Sequence, residues 1–260
     1  MIETAFERTL IASIAILTLS ATTAFSQTPR THYDKPDLSG TWDNGAGIDF
    51  VAPVQLEGGS VCVFGCDINP RGVATGDRPT YRPEVMATVR DLEERQVEKD
   101  PVLRCFPPGV PRIGPPDKIV QTETEIVFLY DDFSGNYFRI VPVDGRPHRT
   151  DIEPGYLGDA IGWWESDTLV VETINFTDDT WLTDDGSFHT TDLRVIEQIE
   201  RDGDTLTWKA TAHDSEVLAE PWQLRTRTAF LTDSEIVEAP PCIERDLDHM
   251  VEPLHHDNVR

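Results

Sequence analysis

A glutamate on the apolar face of a predicted β-strand is the residue in this sequence with the clearest chemical meaning. The segment 193–201 (L-R-V-I-E-Q-I-E-R) alternates between apolar and polar residues, and alternate residues of a strand point to the same side of a sheet. Glu197 shares its side with Leu193, Val195 and Ile199. A carboxylate there is costly to bury unless a cation pairs with it or its pKa rises until it is neutral. We therefore expect either a buried ion pair or a general base or ligand-orienting acid in an apolar cavity.

Two arginines, Arg139 and Arg225, are candidate partners for Glu197. Arg139 lies between Phe138 and Ile140, so strand alternation does not decide which way it points. If it points inward, its guanidinium can also clamp the carboxylate of a ligand through two parallel hydrogen bonds. If it points outward, it is simply solvated.

Asp159 and His189 lie on predicted connectors, and connectors often carry the chemistry of a rigid scaffold. A loop carboxylate and a loop histidine at one end of a barrel are suitable acid–base partners. The candidate catalytic residues are thus Glu197, Asp159 and His189. The structural alternatives are an Asx-turn for Asp159 and an exposed side chain for His189. His148 follows Pro147 in a predicted turn and is expected to be structural.

Aromatic and polar residues near the same strands are candidates to line a ligand site. The candidate ligand-binding residues are Arg139, Tyr156, Trp164, Glu172 and Trp181. The direction of Glu172 is open, because both faces of its predicted strand, 168–176, are partly apolar. Aromatic rings more often belong to a core, as we expect for Trp208, which alternates with Leu206 and Ala210.

The familiar catalytic signatures are absent from the sequence, which has no G-x-S-x-G, no H-E-x-x-H, no glycine-rich phosphate loop and no nucleotide-binding fingerprint. No metal site and no cofactor are predicted. The acidic clusters lack the D-x-D-x-D-G spacing of a calcium loop, and no histidine stands at ligand spacing beside Cys62 and Cys66.

Two classes of function remain. The first is an exported binding protein that holds a small apolar or aromatic molecule in a β-barrel cavity. The second is a cofactor-independent isomerase, lyase or cyclase that uses a buried carboxylate, with or without a histidine, in the same cavity. An enzyme needs an acid and a base within hydrogen-bond reach of each other or of one ligand atom, whereas a binding protein needs only the cavity.

The fold that must position these residues is predicted to be mainly β, as an antiparallel meander that closes into a barrel. Its central unit is a hairpin within residues 156–176, with Ser166–Asp167 as the tight turn. Eight strands and a further one at Trp42 suffice for a small barrel, and a β-sandwich is the alternative. The eight predicted strands are 118–122, 125–131, 136–143, 161–165, 168–176, 193–201, 205–213 and 223–231.

Other segments complete the predicted domain organisation. A surface helix is expected at 82–99, with Pro83 in its first turn and Asp100-Pro101 after its end. Residues 1–26 resemble a signal peptide, because the apolar run 10–24 is short for a membrane span and ends in small residues. A flexible lead (27–36), a single β domain (37–242) with an insertion (44–79), and a tail (243–260) follow.

Composition restricts the partners. The chain has 22 Lys and Arg against 47 Asp and Glu, a net charge of −25. Such a surface repels nucleic acid and anionic membranes, so we expect no nucleic acid partner and no membrane insertion after the signal peptide is cleaved. The expected location is the periplasm or the extracellular medium, and the expected partner is a small molecule.

The four cysteines favour disulfides in an exported chain, for which three pairings are possible. The C-x3-C spacing allows Cys62 to pair with Cys66 in a small loop, which leaves Cys105 for Cys242. A metal site at the cysteines is the alternative.

Two resemblances add to this interpretation. The G-x-W at residues 40–42 resembles the first-strand signature of the calycins (lipocalins, avidins and relatives), in which the tryptophan closes one end of a barrel. The runs C-x-P-x-G-x-P-R at 105–112, D-G-R-P-H at 144–148 and G-D-x-x-G-x-W-E-x-D-T-L-V-V-E-T at 158–173 are similar to a large family of uncharacterised exported bacterial proteins. The first resemblance implies a calycin-like barrel. The second implies export and brings no activity.

Overall fold

The computed structural model describes residues 28–44, 54–55, 61–62, 78–132, 134–183, 185–239 and 241–242 of the 260-residue chain. The predicted signal peptide, most of the insertion 44–79 and the tail 243–260 lie outside the described residues.

The described part of the chain is mainly β, as predicted. Its strands are β1 (Gly40–Asp43), β2 (Val54–Gln55), β3 (Val61–Cys62), β4 (Lys118–Gln121), β5 (Glu125–Asp132), β6 (Gly135–Pro142), β7 (Asp159–Glu165), β8 (Thr168–Ile174), β9 (Arg194–Asp202), β10 (Thr205–His213), β11 (Trp222–Gln223) and β12 (Arg227–Thr232). The helices are α1 (Met86–Glu94) and α2 (Gln96–Lys99), with 3-10 turns at Pro83–Val85 and Val102–Arg104.

Nine of the strands form one antiparallel sheet that curls into a nearly closed barrel. Their order is β6-β5-β4-β1-β12-β10-β9-β8-β7, while β11 extends the pairing of β10, and β2 with β3 forms a separate hairpin. The first and last strands of this order, β6 and β7, meet at a seam. A Cβ at Gly162 of β7 would lie only 2.9 Å from Cγ1 of Val141 in β6, so the two strands pack side to side there. The predicted calycin-like barrel is confirmed, and the sandwich alternative is not adopted.

Strand alternation places large side chains on the inner face of the barrel. In β10, every second residue is buried while the residues between them are half-buried, as expected for a strand with one face in a core. The largest fully buried side chains include Trp42, Trp208, Tyr130, Phe128, Ile126 and Leu169. The exterior also carries apolar groups, because Phe138 and Ile140 of β6 are 63% and 49% exposed.

Trp42 is buried below an arginine at the end of β9. Its Nε1–H donates to the carbonyl oxygen of Leu38 at 3.0 Å, and the guanidinium of Arg201 lies 5.1 Å from its ring centroid. Arg201 also donates to the carbonyl oxygen of Asp37 at 2.5 Å. The tryptophan of the G-x-W motif is thus a core residue, stacked under a cation that holds the chain before β1.

Two expected boundaries were wrong. Asp159 is the first residue of β7, opposite Ile174 of β8, and does not lie on a connector. The last predicted strand is split into β11 and β12. Gln223 and Arg227 are four positions apart, but their partners in β10, Thr211 and Trp208, are only three positions apart, so one extra residue forms a bulge. The helix predicted near 82–99 is confirmed; it begins as a 3-10 turn and is interrupted at Arg95 between α1 and α2.

The segment before β1, expected to be a flexible lead, is bonded to the barrel. Arg30 donates through both terminal nitrogens to Asp167 in the β7–β8 turn, each at 3.1 Å. Tyr33 donates to the carbonyl oxygen of Thr122 at 2.9 Å. These bonds place residues 28–37 along the outside of the barrel.

The expected bridge between Cys105 and Cys242 is present, with the two Cα atoms 5.6 Å apart. It ties the segment after α2 to the end of the described chain. Cys66, the predicted partner of Cys62, lies outside the described residues. None of the helices in the described part of the chain is long and apolar enough to cross a membrane.

Candidate functional site

The barrel interior contains a buried polar cluster centred on Arg139. This arginine stands opposite Phe128 in the β5–β6 ladder and points inward, with 4% of its surface exposed. Its Nη1 donates to the hydroxyl of Tyr130 at 3.0 Å, and its Nη2 donates to Thr173 Oγ1 at 2.7 Å and to Glu197 Oε2 at 2.5 Å. The predicted ion pair of Glu197 is therefore formed, with Arg139 as the partner.

Glu197 is held from both sides. Its second oxygen, Oε1, accepts a hydrogen bond from the indole N–H of Trp208 at 3.0 Å, and the residue is fully buried. Burial by itself lowers the pKa of Arg139, but the nearby charge of Glu197 and its hydrogen bond outweigh burial and raise that pKa. Arg139 and Glu197 thus form a charged pair whose sum is zero.

One donor of this cluster has no partner. Arg139 Nε is buried and bonds to no described group. Because both terminal nitrogens are already used, the bidentate clamp predicted for Arg139 is not available in this arrangement. The Nε–H is thus an exception to the rule that buried polar groups in folded proteins are almost always paired.

A second cluster lies on the outer face of β7 and β8. His148 Nδ1 is 2.9 Å from Asp159 Oδ2, and His148 Nε2 is 3.3 Å from Glu172 Oε1. An arginine extends this row of side chains at each end. Arg149 Nε donates to Asp159 Oδ1 at 2.7 Å, and Arg194 Nε donates to Glu172 Oε2 at 2.5 Å. Five ionisable side chains therefore form one line, which we call the outer charge chain.

The outer charge chain brings a histidine between two carboxylates. Burial alone would raise the pKa of Asp159, but the hydrogen bonds from His148 and Arg149 outweigh burial and lower it. A carboxylate bonded to Nδ1 also fixes the orientation of an imidazole, as in catalytic dyads. This cluster meets the condition stated above for an acid–base enzyme, which is an acid and a base within reach of each other.

A third cluster surrounds His189 at the end of the barrel where β8 stops and β9 begins. His189 is 2% exposed, and its Nδ1 is 2.8 Å from the carbonyl oxygen of Thr190, so Nδ1 carries the proton. Nε2 is then free to accept a hydrogen bond from the Thr180 hydroxyl at 2.7 Å. A Cβ at Gly109 would lie 2.6 Å from Thr180 Oγ1, so the backbone of Gly109 covers this pair.

The buried state of His189 predicts a loss of stability in acid. Burial lowers the pKa of His189 below its ordinary value of 6.5, so the folded protein keeps it neutral while the unfolded chain takes up a proton as the pH falls. We expect the free energy of unfolding to drop by up to about 1 kcal/mol between pH 7.5 and pH 5.5 through this residue alone.

The comparison that isolates this effect uses urea unfolding at both pH values. The wild-type loss should exceed that of His189→Gln, whereas His32→Gln, which changes a histidine that is 83% exposed, should behave like the wild type. Equal pH dependence of all three proteins would contradict the assignment.

The three aromatic candidates are placed around the barrel and do not share a site. Tyr156 is half-buried against Phe106, with ring centroids 5.6 Å apart. Trp164 is half-buried beneath the ammonium of Lys35, and Trp181 is buried beneath the guanidinium of Arg112. Each ring is matched with a cation or another ring and serves packing in this arrangement.

The structure thus separates the three catalytic candidates. Glu197 lies inside the barrel, Asp159 on its outer face and His189 at one end, each with its own partners. Sequence reasoning missed His148, which was expected to be structural, and with it Arg149, Arg194 and Thr180. The only sequence signal for His148 was its place in D-G-R-P-H, directly after β6.

Among the residues described, no group of three or more His, Cys, Asp or Glu side chains is arranged to hold a metal ion. Comparisons with protein-family models, with curated proteins and with solved structures found no significant match to this chain. The resemblance to exported bacterial proteins therefore stays a prediction.

Proposed function

We propose that this protein binds a small apolar or aromatic molecule inside its barrel, and that Arg139 anchors the molecule through Nε. The buried Nε–H without a partner supports the proposal. Unpaired donors in a core are costly, and a ligand acceptor at this position would satisfy it. Aromatic rings stand beside the anchor, since the guanidinium lies 5.6 Å from the ring centroid of Phe128.

Charge decides which acceptor fits the anchor. Arg139 and Glu197 already cancel each other, so a ligand carboxylate would add an uncompensated negative charge to a buried site. A neutral acceptor, such as a carbonyl, ether or hydroxyl oxygen, adds none. The ligand class is therefore a small, mostly apolar molecule with one neutral oxygen acceptor.

Three probes of similar size test this proposal: acetophenone, toluene and benzoate. Binding is followed through the NMR signal of the Trp208 indole N–H, which is bonded to Glu197. We expect acetophenone to bind about tenfold or more tightly than toluene, because a hydrogen bond to a charged donor contributes about 1.5–3 kcal/mol. Benzoate should bind more weakly than acetophenone because of its charge.

Two variants assign the preference to Nε. Arg139→Lys keeps a cation beside Glu197 but has no Nε, so the preference for acetophenone over toluene should disappear. Trp163→Phe changes a tryptophan whose indole is bonded to Glu165 on the outer surface, and it should leave the preference unchanged. Equal affinity for acetophenone and toluene would refute the anchor at Nε. No shift of the Trp208 signal with any probe would refute an interior ligand site.

The disulfide and the net charge support export and a small-molecule partner. The Cys105–Cys242 bridge is a feature of proteins in oxidising compartments, which supports a periplasmic or secreted location. The charge of −25 disfavours nucleic acid and anionic membrane surfaces as partners.

The outer charge chain favours a second candidate, a cofactor-independent enzyme of the isomerase, lyase or cyclase type. The observation in its favour is His148 held between Asp159 and Glu172, which supplies an acid and a base in contact. The two functions are distinguished by adding the molecule that co-purifies with the protein back to the protein and checking whether its structure changes. A binding protein returns the molecule unchanged, whereas an enzyme converts it and loses the conversion in His148→Gln.

A further inference from the structure

An open groove lies beside the outer charge chain, on the outside of the barrel and away from the interior site. Its walls come from the connector after His148, the end of β8 and the start of β9, and its volume is about 410 Å³. That size is within the range that holds one small molecule. The groove contains both terminal arginines of the outer charge chain, Arg149 and Arg194.

Each of the two arginines is held at Nε and keeps its terminal nitrogens available as hydrogen-bond donors. Each uses Nε for one carboxylate, Arg149 for Asp159 and Arg194 for Glu172. The terminal nitrogens of both guanidiniums bond to no described residue, and the side chains are 61% and 46% exposed. The free edge of a guanidinium matches the two oxygens of a carboxylate. Because Nε is already held, the fork has lost part of its conformational freedom before any ligand arrives, which favours binding.

The remaining walls of the groove are mixed. Ile152 and Ile174 supply apolar surface, and Thr150 and Thr191 supply hydroxyl groups. Asp192 is the one acidic residue among the lining residues, and its carboxylate bonds to no described residue. The exposed terminal N–H groups of the two guanidiniums lie next to these apolar walls, and this combination suits a carboxylate with an apolar body. Because the groove is open to solvent, water screens the charges of Asp159 and Glu172 there, unlike in the buried site at Arg139.

We propose that this groove binds a small organic carboxylate, with its oxygens on the terminal nitrogens of Arg149 and Arg194 and its apolar body against Ile152 and Ile174. The site is independent of the interior anchor at Arg139, which favours a neutral acceptor. The presence of Asp192 predicts modest affinity, because its charge repels the ligand across a groove open to solvent.

Benzoate is the probe, with benzamide as its neutral counterpart of the same shape and inorganic phosphate as an anion without an apolar body. Binding is measured from backbone amide NMR shifts of residues 149–152 and 191–194. We expect benzoate to bind at least about tenfold more tightly than benzamide, and its affinity to fall as salt is raised. Phosphate should bind more weakly than benzoate, since it gains nothing from the isoleucines.

Matched variants locate the site. Arg149→Gln and Arg194→Gln should each weaken benzoate binding about fivefold or more, and Arg149→Lys should do the same, because lysine keeps the charge and loses the fork. Arg146→Gln is the control, since Arg146 lies on the same connector but is bonded to Asp144 and does not line the groove. It should bind benzoate like the wild type.

Asp192→Asn provides a test that does not disturb the outer charge chain. Removing this charge should tighten benzoate binding about twofold or more and leave the fold unchanged, because only the backbone N–H of Asp192 is bonded, to Thr190. Equal binding of benzoate and benzamide, phosphate binding as tight as benzoate, or unchanged affinity in Asp192→Asn would each overturn the proposal. Failure of acetophenone to shift the Trp208 signal would contradict the proposed function of the barrel interior. It would not bear on benzoate binding in this groove.

Discussion

Replacing Arg139 with methionine should destabilise the protein by about 3–5 kcal/mol, the usual effect of removing one partner of a buried ion pair. Glu197 is fully buried and would lose its cationic partner, with the Trp208 indole N–H as its remaining hydrogen-bond donor. The hydroxyls of Tyr130 and Thr173 would also lose a donor. Such a loss is a large share of the 5–15 kcal/mol that stabilises most domains.

Urea unfolding followed by circular dichroism measures this effect. The double variant Arg139→Met/Glu197→Gln should regain at least half of the lost stability, because glutamine carries no charge and can still accept the Trp208 N–H. Arg225→Met is the matched control. Arg225, the alternative partner, is exposed, so its replacement should change stability by less than about 0.5 kcal/mol. A loss below 1 kcal/mol for Arg139→Met would show that the pair is not buried as described.

Removal of the Cys105–Cys242 bridge has the other large expected effect. The two cysteines are 137 residues apart, and the loop-entropy relation assigns about 5 kcal/mol to a bridge closing a loop of that length. The double variant Cys105→Ser/Cys242→Ser should therefore unfold at a much lower urea concentration than the wild type, and a reductant should shift the wild type in the same direction.

The same experiment has an internal check. The Cys105→Ser/Cys242→Ser variant lacks this bridge, so any shift of its urea midpoint on adding a reductant would come from another disulfide, such as the predicted Cys62–Cys66 bridge. A loss of less than about 1 kcal/mol on removing the bridge would indicate that the unfolded chain gains little freedom. The structural account, in which the bridge holds the segment after α2 to the end of the described chain, would then need revision.

Strand periodicity was sufficient to place Glu197 inside the barrel, because an alternating pattern of four residues leaves one choice of face. It was not sufficient for Arg139. Its neighbours Phe138 and Ile140 are apolar but largely exposed, so the pattern of β6 suggested two equally apolar faces. The inward position of Arg139 depends on the ladder with β5, which places it opposite Phe128.

The outer charge chain could not be predicted from local sequence. Asp159 and Glu172 come close because the β7–β8 hairpin sets Ile161 opposite Glu172 and Asp159 opposite Ile174. His148 reaches them from a connector whose path over the barrel has no sequence signal. The nine strands of the barrel were predictable because each carries its own pattern, whereas the bulge between β11 and β12 depends on a count of residues across two strands.

The seam between β6 and β7 differs from the rest of the barrel wall in how its two strands are held together. Every other neighbouring pair in the barrel is joined by a ladder of backbone hydrogen bonds, each contributing about 1 kcal/mol, whereas the described residues of β6 and β7 are joined by side-chain packing, as at Gly162 and Val141. Parting these two strands separates methyl groups and breaks no ladder. The described barrel wall can therefore part at this seam without breaking backbone hydrogen bonds between strands, and Arg139, which projects inward from β6, stands beside it.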